Sequence, residues 1–210
     1  MIVAIDGPAG AGKSTVARRL AALLGFRYLD TGAMYRALTW LALERGVELD
    51  DAPALAALAE RHPVTFDAGG GVHIDVTEIT TAIREPRIDQ AVPRVARHQP
   101  VRTVMRVRQR ELAEEGHAVI EGRDIGSVVV PDAPVKVYLV ADEEERARRR
   151  LAERPGLGPD ALATDLRRRD ASDAPQMERA DDAELIDTTD LEVDEVVERI
   201  AGLVRARQPA

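Results

Sequence analysis

The sequence predicts an α/β protein that is built on a parallel sheet and interrupted by a strand-rich insert. The chain opens with the alternation strand, helix, strand, helix, which is typical of parallel sheets. A glycine-rich turn joins the first strand to the first helix. In the middle of the chain, alternating apolar and polar residues around a triple-glycine turn indicate an antiparallel hairpin, which marks the insert.

Apolar spacing predicts each element of the first third of the chain. Residues 2–5 form an apolar run that ends in a turn at residues 6–8, as expected of a buried strand. From Ser14 onwards apolar residues recur three and four apart, and Gly25 is placed to cap the helix. The predicted elements are a strand over 2–5, a helix over 14–24, a strand over 26–29, and helices over about 33–45 and 53–61.

The predicted hairpin pairs residues 64–66 with the alternating stretch 72–76. After it, the pattern returns to helices and strands. The later elements are a helix over 101–115, strands over 118–120 and 135–140, helices over 142–154 and 160–170, a strand over 185–187 and a closing amphipathic helix over 193–206.

The composition excludes several kinds of protein. The chain has 210 residues, a formal net charge of −8 and no cysteine. Its length fits one domain with small inserts, and the lack of cysteine excludes disulfides, Cys-ligated metals and a catalytic thiol. The acidic balance disfavours a nucleic-acid partner. Apolar runs stay far below the ~20 residues of a membrane span, and no signal-peptide pattern opens the chain, so we expect a cytoplasmic globular protein.

Lysine is scarce, and one of the lysines stands in a motif. Of 29 basic residues only Lys13 and Lys136 are lysines. The segment from Gly7 to Ser14 matches the phosphate-binding pattern G-x-x-x-x-G-K-[ST] in full, between a strand and a helix. A planar guanidinium would fit this narrow loop poorly, which explains a lysine in an arginine-rich chain. The alternative is a tight strand-to-helix turn that is glycine-rich for structural reasons only.

Such a loop binds the phosphates of a nucleoside triphosphate through backbone N–H groups and the positive end of the following helix. We expect Lys13 to bridge the β- and γ-phosphates and the Ser14 hydroxyl to bind Mg²⁺. The predicted ATP-binding residues of the loop are Gly7, Pro8, Ala9, Gly10, Ala11, Gly12, Lys13, Ser14 and Thr15.

The loop predicts a nucleotide but not a reaction. The chain contains no asparagine, so it lacks the Asn-Lys-x-Asp signature of regulatory GTPases. The third predicted core strand ends in Glu121-Gly122-Arg123-Asp124, unlike the Asp-Glu strand end of large motor ATPases. Many arginines in a small domain favour a phosphotransferase with a small acceptor, because two anionic substrates repel each other and need neutralisation.

Two polar segments follow predicted strands, at residues 30–36 and 122–126. Open α/β sheets bind ligands at the carboxyl ends of their parallel strands. Arg36 and Arg123 suit a phosphate, and Asp124 suits a hydroxyl or amino group. The alternatives are a solvated helix arginine for Arg36 and a local surface ion pair for Arg123 with Asp124.

Almost from end to end, the sequence resembles the bacterial cytidylate kinases. The segments Asp-x-Gly-Ala-x-Tyr-Arg at 30–36 and Gly-Arg-Asp-x-Gly at 122–126 are together far more specific than the loop alone. Besides the loop, the resemblance rests on Leu29–Arg36, Ile83-Arg84, Pro100–Arg102, Gln109-Arg110, Glu121–Gly126, Val130–Lys136, Glu144–Arg146, Arg169-Asp170, Asp173 and Asp187–Thr189.

The resemblance implies a P-loop nucleoside monophosphate kinase fold, with a five-stranded parallel sheet flanked by helices. It implies ATP-dependent phosphorylation of CMP and dCMP with Mg²⁺, by a monomer acting on small molecules. Within a single kinase domain, it places the core at about 1–61, 99–141 and 176–210, a monophosphate-binding insert at about 62–98 and a helical lid at about 142–175.

The resemblance also carries residue roles. Thr31, Arg102 and Asp124 would contact the cytosine, and Arg36 and Arg123 the CMP phosphate. Arg169 and Asp173 would reach the ribose, with Arg169 also near the transferred phosphoryl group, so that Lys13, Arg123 and Arg169 form the catalytic set. Arg146 and Arg150 would face ATP from the lid; a solvated basic helix face is the alternative.

Two positions depart from the family pattern. Pro93 stands where the family usually has a serine that contacts the base, and a proline has neither a hydroxyl nor an N–H. The family also usually has an arginine a few residues after the lid aspartate, and here the segment after Asp173, residues 174–179, is shorter. Arg179 would replace that arginine from a shifted position; otherwise one phosphate contact is missing or comes from Arg167 or Arg168. Lys136 matches the family pattern, but no role for it follows from the sequence.

Two other functions remain open at this level. One is a small P-loop kinase for UMP, AMP or a non-nucleotide such as shikimate, although these would not require the hairpin insert or Gly-Arg-Asp. The other is a non-catalytic nucleotide sensor, which would not need Lys13, Ser14 and the lid arginines. The four histidines are scattered without metal-ligand spacing.

Overall fold

The computed structural model describes residues 1–67, 69–153 and 159–207, and the chain forms two compact units. The first unit comprises Met1–Tyr28 and Gly116–Ala210, and the second comprises Leu29–Glu115. Among the described residues, no helix is both long and apolar enough to cross a membrane.

A five-stranded sheet with the strand order β2-β6-β1-β7-β8 organises the first unit. The chain passes from the first unit into the second within β2. The elements are β1 (Ile2–Asp6), α1 (Lys13–Leu24), β2 (Arg27–Asp30), β6 (Ala118–Glu121), β7 (Val135–Val140), α6 (Glu143–Glu153), α7 (Pro159–Asp173), β8 (Glu184–Asp187) and α8 (Val193–Arg207).

The central strand β1 pairs in parallel with both neighbours, with Ile5 opposite Glu121 on β6 and opposite Val137 on β7. Strands buried on both faces consist of continuous apolar residues, which is why these segments were recognisable in the sequence. Helices α1 and α8 pack their apolar faces on the sheet through residues such as Leu20 and Ile200, which are fully buried. The end of β1 therefore opens into the phosphate-binding loop at the middle of the sheet.

The second unit is mainly helical and carries a small antiparallel sheet of order β3-β4-β5. Side chains buried between its helices and this sheet, such as Leu38, Leu55 and Ile74, form its core. The elements are α2 (Thr31–Glu44), α3 (Ala52–Arg61), β3 (Val64–Phe66), β4 (Val72–Ile74), β5 (Thr77–Glu78), α4 (Pro86–Ala96) and α5 (Gln99–Glu114).

The predicted parallel sheet is confirmed, and each predicted core strand lies within about two residues of its observed bounds. The hairpin is confirmed as the antiparallel pair β3 and β4, with Val64 opposite Ile74. Its predicted end at residue 76 is wrong. Asp75 has a φ of 53°, so the chain turns there, leaves Val76 98% exposed and returns as β5.

Helix α4 lies in a stretch to which the sequence analysis assigned no helix or strand. It begins with Pro86 in its first turn, a favoured position, but Pro93 stands in its interior. An interior proline removes one helical hydrogen bond and usually indicates a break. Burial of Ile88, Ala91 and Val95 on one face stabilises the helix in spite of this. The break predicted between the helices over 142–154 and 160–170, at residues 155–159, lies outside the described residues except for Pro159, where α7 begins.

Candidate active site

The loop between β1 and α1 has the backbone that its glycines predict. Gly10 and Gly12 have φ values of 80° and 87°, which side chains with a Cβ rarely adopt. At Gly7, with φ 144°, a Cβ would lie 2.1 Å from the carbonyl oxygen of Leu139 on β7. Close approach to the neighbouring strand therefore excludes any larger residue at position 7.

Lys13, the first residue of α1, lies inside this loop. Its Nζ donates to the carbonyl oxygen of Pro8 over 2.7 Å, and the side chain is almost fully buried. Burial lowers the pKa of Lys13 well below its usual value, and the nearby charge of Arg123 lowers it further. Glu121 and Asp6 act in the opposite direction. Lys13 thus lies among charged groups of the first unit. A bound anion beside it would raise its pKa again and keep the side chain protonated.

Two arginines of α6 lie against the loop. Arg146 donates to the carbonyl oxygen of Ala9 at 3.1 Å and to Asp170 of α7 at 2.6 Å, and its side chain is only 11% exposed. Arg146 is therefore not part of a solvated basic face. Arg150, the other predicted lid arginine, is half-buried on the same helix.

Arg149 is a loop neighbour that the sequence analysis missed. It donates to the hydroxyl of Thr188 at 2.9 Å and to the Thr188 carbonyl oxygen at 2.5 Å, and Glu145 pairs with it one turn earlier. The Thr188 hydroxyl in turn lies 3.3 Å from the carbonyl oxygen of Ala11 in the loop. The three-residue spacing from Arg146, which places both guanidinium groups on one helix face, was the available signal.

The segment after β6 carries Arg123 and Asp124. Arg123 Nε donates to Asp173 over 2.8 Å, and its Nη1 donates to the Gly122 carbonyl oxygen at 3.4 Å. Asp124 is buried, and Arg169 is half-buried on α7. Arg123 thus pairs with a residue of α7, 50 residues further along the chain. The alternative of a local surface ion pair had placed its partner next to it, at Asp124.

Asp6 and Glu121 are two further buried acids of the first unit. Asp6 accepts the N–H groups of Ile125 and Gly126 at 2.9 and 2.8 Å. Glu121 accepts the hydroxyl of Tyr28 over 2.5 Å. Neither acid was predicted as a site residue from the sequence, because an acid at the end of a strand has no distinguishing spacing of its own.

In the second unit, Asp30 organises the start of α2. Its carboxylate accepts the backbone N–H of Ala33 at 2.9 Å, as a helix cap does, and also accepts Arg84 over 2.8 Å. Thr31, the next residue, is buried in the first turn of α2. The Ile83-Arg84 segment, which the resemblance had included without a role, is thereby attached to the start of α2.

Arg36 of α2 forms an ion pair with Asp89 of α4, and both side chains are largely buried. Arg102 on α5 is also buried. A buried guanidinium is expected only where an acid or an anion neutralises it, and Asp89 supplies an acid that the sequence analysis did not identify. Arg36 is therefore not a solvated helix arginine.

Magnesium chemistry fits one residue of the loop. Ser14 is exposed at the second position of α1, and its hydroxyl is an oxygen donor of the kind that Mg²⁺ accepts. Within the described part of the chain, no group of three or more acidic or histidine side chains could hold a metal ion. Mg²⁺ commonly binds through one or two protein oxygens together with substrate phosphates, so this arrangement fits a nucleotide-borne ion.

Comparisons of the sequence with known proteins agree on one family. The sequence profile of the family described as "Cytidylate kinase" matches residues 3–206. A cytidylate kinase from Shouchella clausii is 48% identical over 97% of this chain and 95% of its own length. A cytidylate kinase from Bacillus pumilus is 46% identical over 94% of this chain and 93% of its own length.

Solved structures support the fold. TT1252 from Thermus thermophilus matches all of this chain and 98% of its own, with a TM-score of 0.54 and 21% identity. A shikimate kinase from Bacteroides thetaiotaomicron matches 98% of each chain, with a TM-score of 0.51 and 19% identity. At such identities the likeness shows a shared P-loop kinase fold and not a shared acceptor.

Proposed function

The chain belongs to the cytidylate kinase family and is therefore an ATP-dependent kinase that phosphorylates CMP, and we propose that dCMP is a second acceptor and that the residues above divide between the two substrates. One observation carries the residue assignment. The buried ammonium of Lys13 lies on the phosphate-binding loop beside the charges of Arg123 and Asp173. One unit thus brings together a loop for ATP and a segment assigned to CMP.

The reaction joins an oxygen of the CMP phosphate to the γ-phosphorus of ATP and breaks the bond to the oxygen that becomes part of ADP. Both reactants are anions, so the protein has to align them and neutralise charge. We assign no nucleophile and no strong general base. Lys13, Arg123 and Arg169 are the residues proposed to stabilise the charge of the transition state.

ATP is assigned to the loop, to α1 and to α6. Lys13 would exchange its bond with the Pro8 carbonyl for the β- and γ-phosphate oxygens. Arg146 already contacts the loop carbonyl of Ala9 and would move a short way to a phosphate; Arg150 is its proposed companion. Ser14 would hold Mg²⁺, which would offset the negative charge of the phosphates.

CMP is assigned to seven residues. Thr31, Arg102 and Asp124 would contact the base, and Arg36 and Arg123 the phosphate. Arg169 and Asp173 would reach the ribose side. The Pro93 side chain has no polar group, so base selection would depend on three contacts: Thr31, Arg102 and Asp124.

Closure is part of the proposal. A site open to water would hydrolyse ATP, so kinases of this kind cover their substrates during transfer. We assign the insert at about 62–98 to the monophosphate and the lid at about 142–175 to ATP. The enzyme is proposed to work as a cytoplasmic monomer without a nucleic-acid partner, in keeping with a net charge of −8.

An acceptor panel tests the substrate. ADP release is followed with Mg²⁺-ATP and CMP, dCMP, UMP, AMP or shikimate, each at equal concentration. The expected order places CMP and dCMP first, and faster turnover of UMP, AMP or shikimate would favour another small kinase. No release above the rate without acceptor would favour a nucleotide sensor.

Asp124→Ala tests base recognition. Removing the carboxylate takes away a hydrogen-bond acceptor for the cytosine amino group, so the ratio of kcat/KM for CMP to that for UMP should fall at least tenfold, about the value of one charged hydrogen bond. An unchanged ratio would remove Asp124 from the base-binding set.

A further inference from the structure

Asp6 is a buried carboxylate that the proposed phosphoryl transfer does not use. It is the last residue of β1, immediately before the phosphate-binding loop, and is 4% exposed. One of its oxygens accepts the N–H of Ile125 and the other accepts the N–H of Gly126, at 2.9 and 2.8 Å. Both acceptor sites face backbone groups that lie 119 and 120 residues away in sequence.

The two N–H groups belong to the start of a wide helical turn. In this turn, Ile125–Val129, the Val129 N–H bonds back to the Asp124 carbonyl and the Val130 N–H to the Ile125 carbonyl. The first N–H groups of such a turn have no partner within it. Just before the turn, the β1–β6 ladder ends with the Gly122 N–H on the Ile5 carbonyl. The Asp6 side chain thus continues the attachment of this segment to β1 where the ladder stops.

Lys136 supports the same turn from another side. A Cβ at Gly126 would lie 3.2 Å from Cδ of Lys136, so the lysine stem packs directly on this glycine. Its Nζ binds both carboxylate oxygens of Asp182, at 2.9 and 2.8 Å. Gly126 is therefore held between the Asp6 carboxylate and the aliphatic stem of Lys136. This packing is the structural role of the second lysine of the chain.

Arg123 and Asp124 stand immediately before the held turn, and the charge of Arg123 already acts on Lys13 in the loop. A displacement of about 1 Å can cost two orders of magnitude in a reaction that depends on alignment. Asparagine at position 6 would keep the volume but would offer one acceptor and turn an amide donor against the second N–H. Two acceptors on one side chain require a carboxylate here.

We propose that Asp6 is a positioning residue that acts through Arg123: its two oxygens fix the turn at Ile125–Val129 and so set the Arg123 side chain against the phosphate-binding loop. This inference rests on the CMP-binding role proposed for Arg123. Asp6 itself is assigned no contact with either substrate.

A double-mutant cycle tests it, with Asp6→Asn, Arg123→Ala and the combined variant. The matched control is Asp51→Asn, because Asp51 accepts a single N–H, that of Ala54, which an asparagine oxygen can still serve. For each protein, kcat and KM for CMP are measured, together with binding of a fluorescent ATP analogue and the thermal unfolding midpoint.

The expected result for Asp6→Asn is a kcat/KM for CMP lowered about 10- to 100-fold, with ATP-analogue binding within about threefold of wild type, because the loop keeps its own backbone bonds. In the Arg123→Ala background the same change should have less than about a threefold effect. Asp51→Asn should stay within about twofold of wild type.

Three outcomes would overturn the positioning role. They are wild-type kinetics for a folded Asp6→Asn, equal losses in CMP turnover and ATP binding, and effects of the two substitutions that simply multiply. An Arg123→Ala variant with wild-type kinetics would instead overturn the proposed role of Arg123 and, with it, this inference.

A measurement on the wild-type enzyme keeps the test decisive if Asp6→Asn does not fold. The amides of Ile125 and Gly126 should exchange with deuterium at least about 100-fold more slowly than the exposed amide of Val76 at the β4–β5 turn. Exchange at the rate of Val76 would show that the Asp6 carboxylate does not hold the turn.

Discussion

Arg123 donates from Nε to the carboxylate of Asp173 over 2.8 Å, so the segment after β6 is tied to the last residue of α7. Both side chains are about a quarter exposed, and both are assigned to CMP. In the ligand-free chain each is therefore the partner of the other. A charged hydrogen bond of this kind is worth about 1.5–3 kcal/mol where it is shielded from water.

This pair should behave as one unit in kinetics. Asp173→Ala is expected to raise KM for CMP about tenfold, because CMP loses the proposed ribose contact and Arg123 loses the group that orients it. In the Arg123→Ala background the same substitution should have a smaller effect, because only the ribose contact is then lost. Steady-state kinetics of the two single variants and the double variant provide the comparison; independent effects would mean that the pair does not orient the arginine.

Lys13→Ala should keep the fold and lower kcat by about three orders of magnitude or more, since a buried positive charge on the phosphate-binding loop is lost. Arg19→Ala is the control on the same helix, because Arg19 pairs with Asp194 at the surface with more than half of each side chain exposed. A coupled ADP-release assay and circular dichroism measure both properties. A Lys13→Ala enzyme with near-normal turnover would contradict the loop assignment.

Arg146 and Arg148 form a matched pair on α6. Arg146 is 11% exposed and contacts the loop carbonyl of Ala9, whereas Arg148 is 74% exposed. Arg146→Ala should raise KM for ATP at least about tenfold with a smaller change for CMP. Arg148→Ala should change either constant by less than about twofold. Equal effects of the two substitutions would place ATP elsewhere than against Arg146.

Gly7 and Gly116 separate backbone conformation from close packing. Their φ values are nearly equal, at 144° and 149°, but a Cβ at Gly7 meets the Leu139 carbonyl at 2.1 Å and one at Gly116 meets nothing within 4 Å. Gly116→Ala should cost about 1–3 kcal/mol of unfolding free energy. Gly7→Ala should cost more than about 4 kcal/mol, or prevent folding. Urea unfolding checks the pair, and similar costs would mean that the contact with Leu139 is relieved.

Asp6 should make stability depend on pH. Burial raises its pKa from 3.8 to about 6, against the lowering effect of the Gly126 and Ile125 amides; the nearby charges of Asp124 and Lys13 act in opposite directions. Because the folded chain holds this proton more tightly than the unfolded chain, the contribution is fully present below pH 3.8 and is lost as the pH rises through about 6.

The free energy of unfolding of wild type relative to Asp6→Asn should therefore fall by up to about 3 kcal/mol between about pH 4 and pH 7. Urea unfolding of both proteins across this range gives the difference. A difference that does not change with pH, or that grows as the pH rises, would contradict the raised pKa.

The sequence by itself determined the phosphate-binding loop, the order of the core strands and the helices beside them, and the family. These features depend on local chemistry: a loop that needs glycine at fixed positions, buried strands that must be continuously apolar, and motifs of consecutive residues. Lys13 and Gly7 could be singled out because each is required by its immediate neighbours in the chain.

Only the tertiary structure decided which partner each buried charged side chain contacts. Asp6 holds the turn that begins at Ile125, Asp89 neutralises Arg36, and Arg149 lies beside the loop through Thr188. None of these pairs is close in sequence, and a chain with many arginines and acids offers many equally plausible partners. Each pairing is fixed by which strand and helix ends are packed together, because a buried charge is stable only beside the partner that the fold supplies.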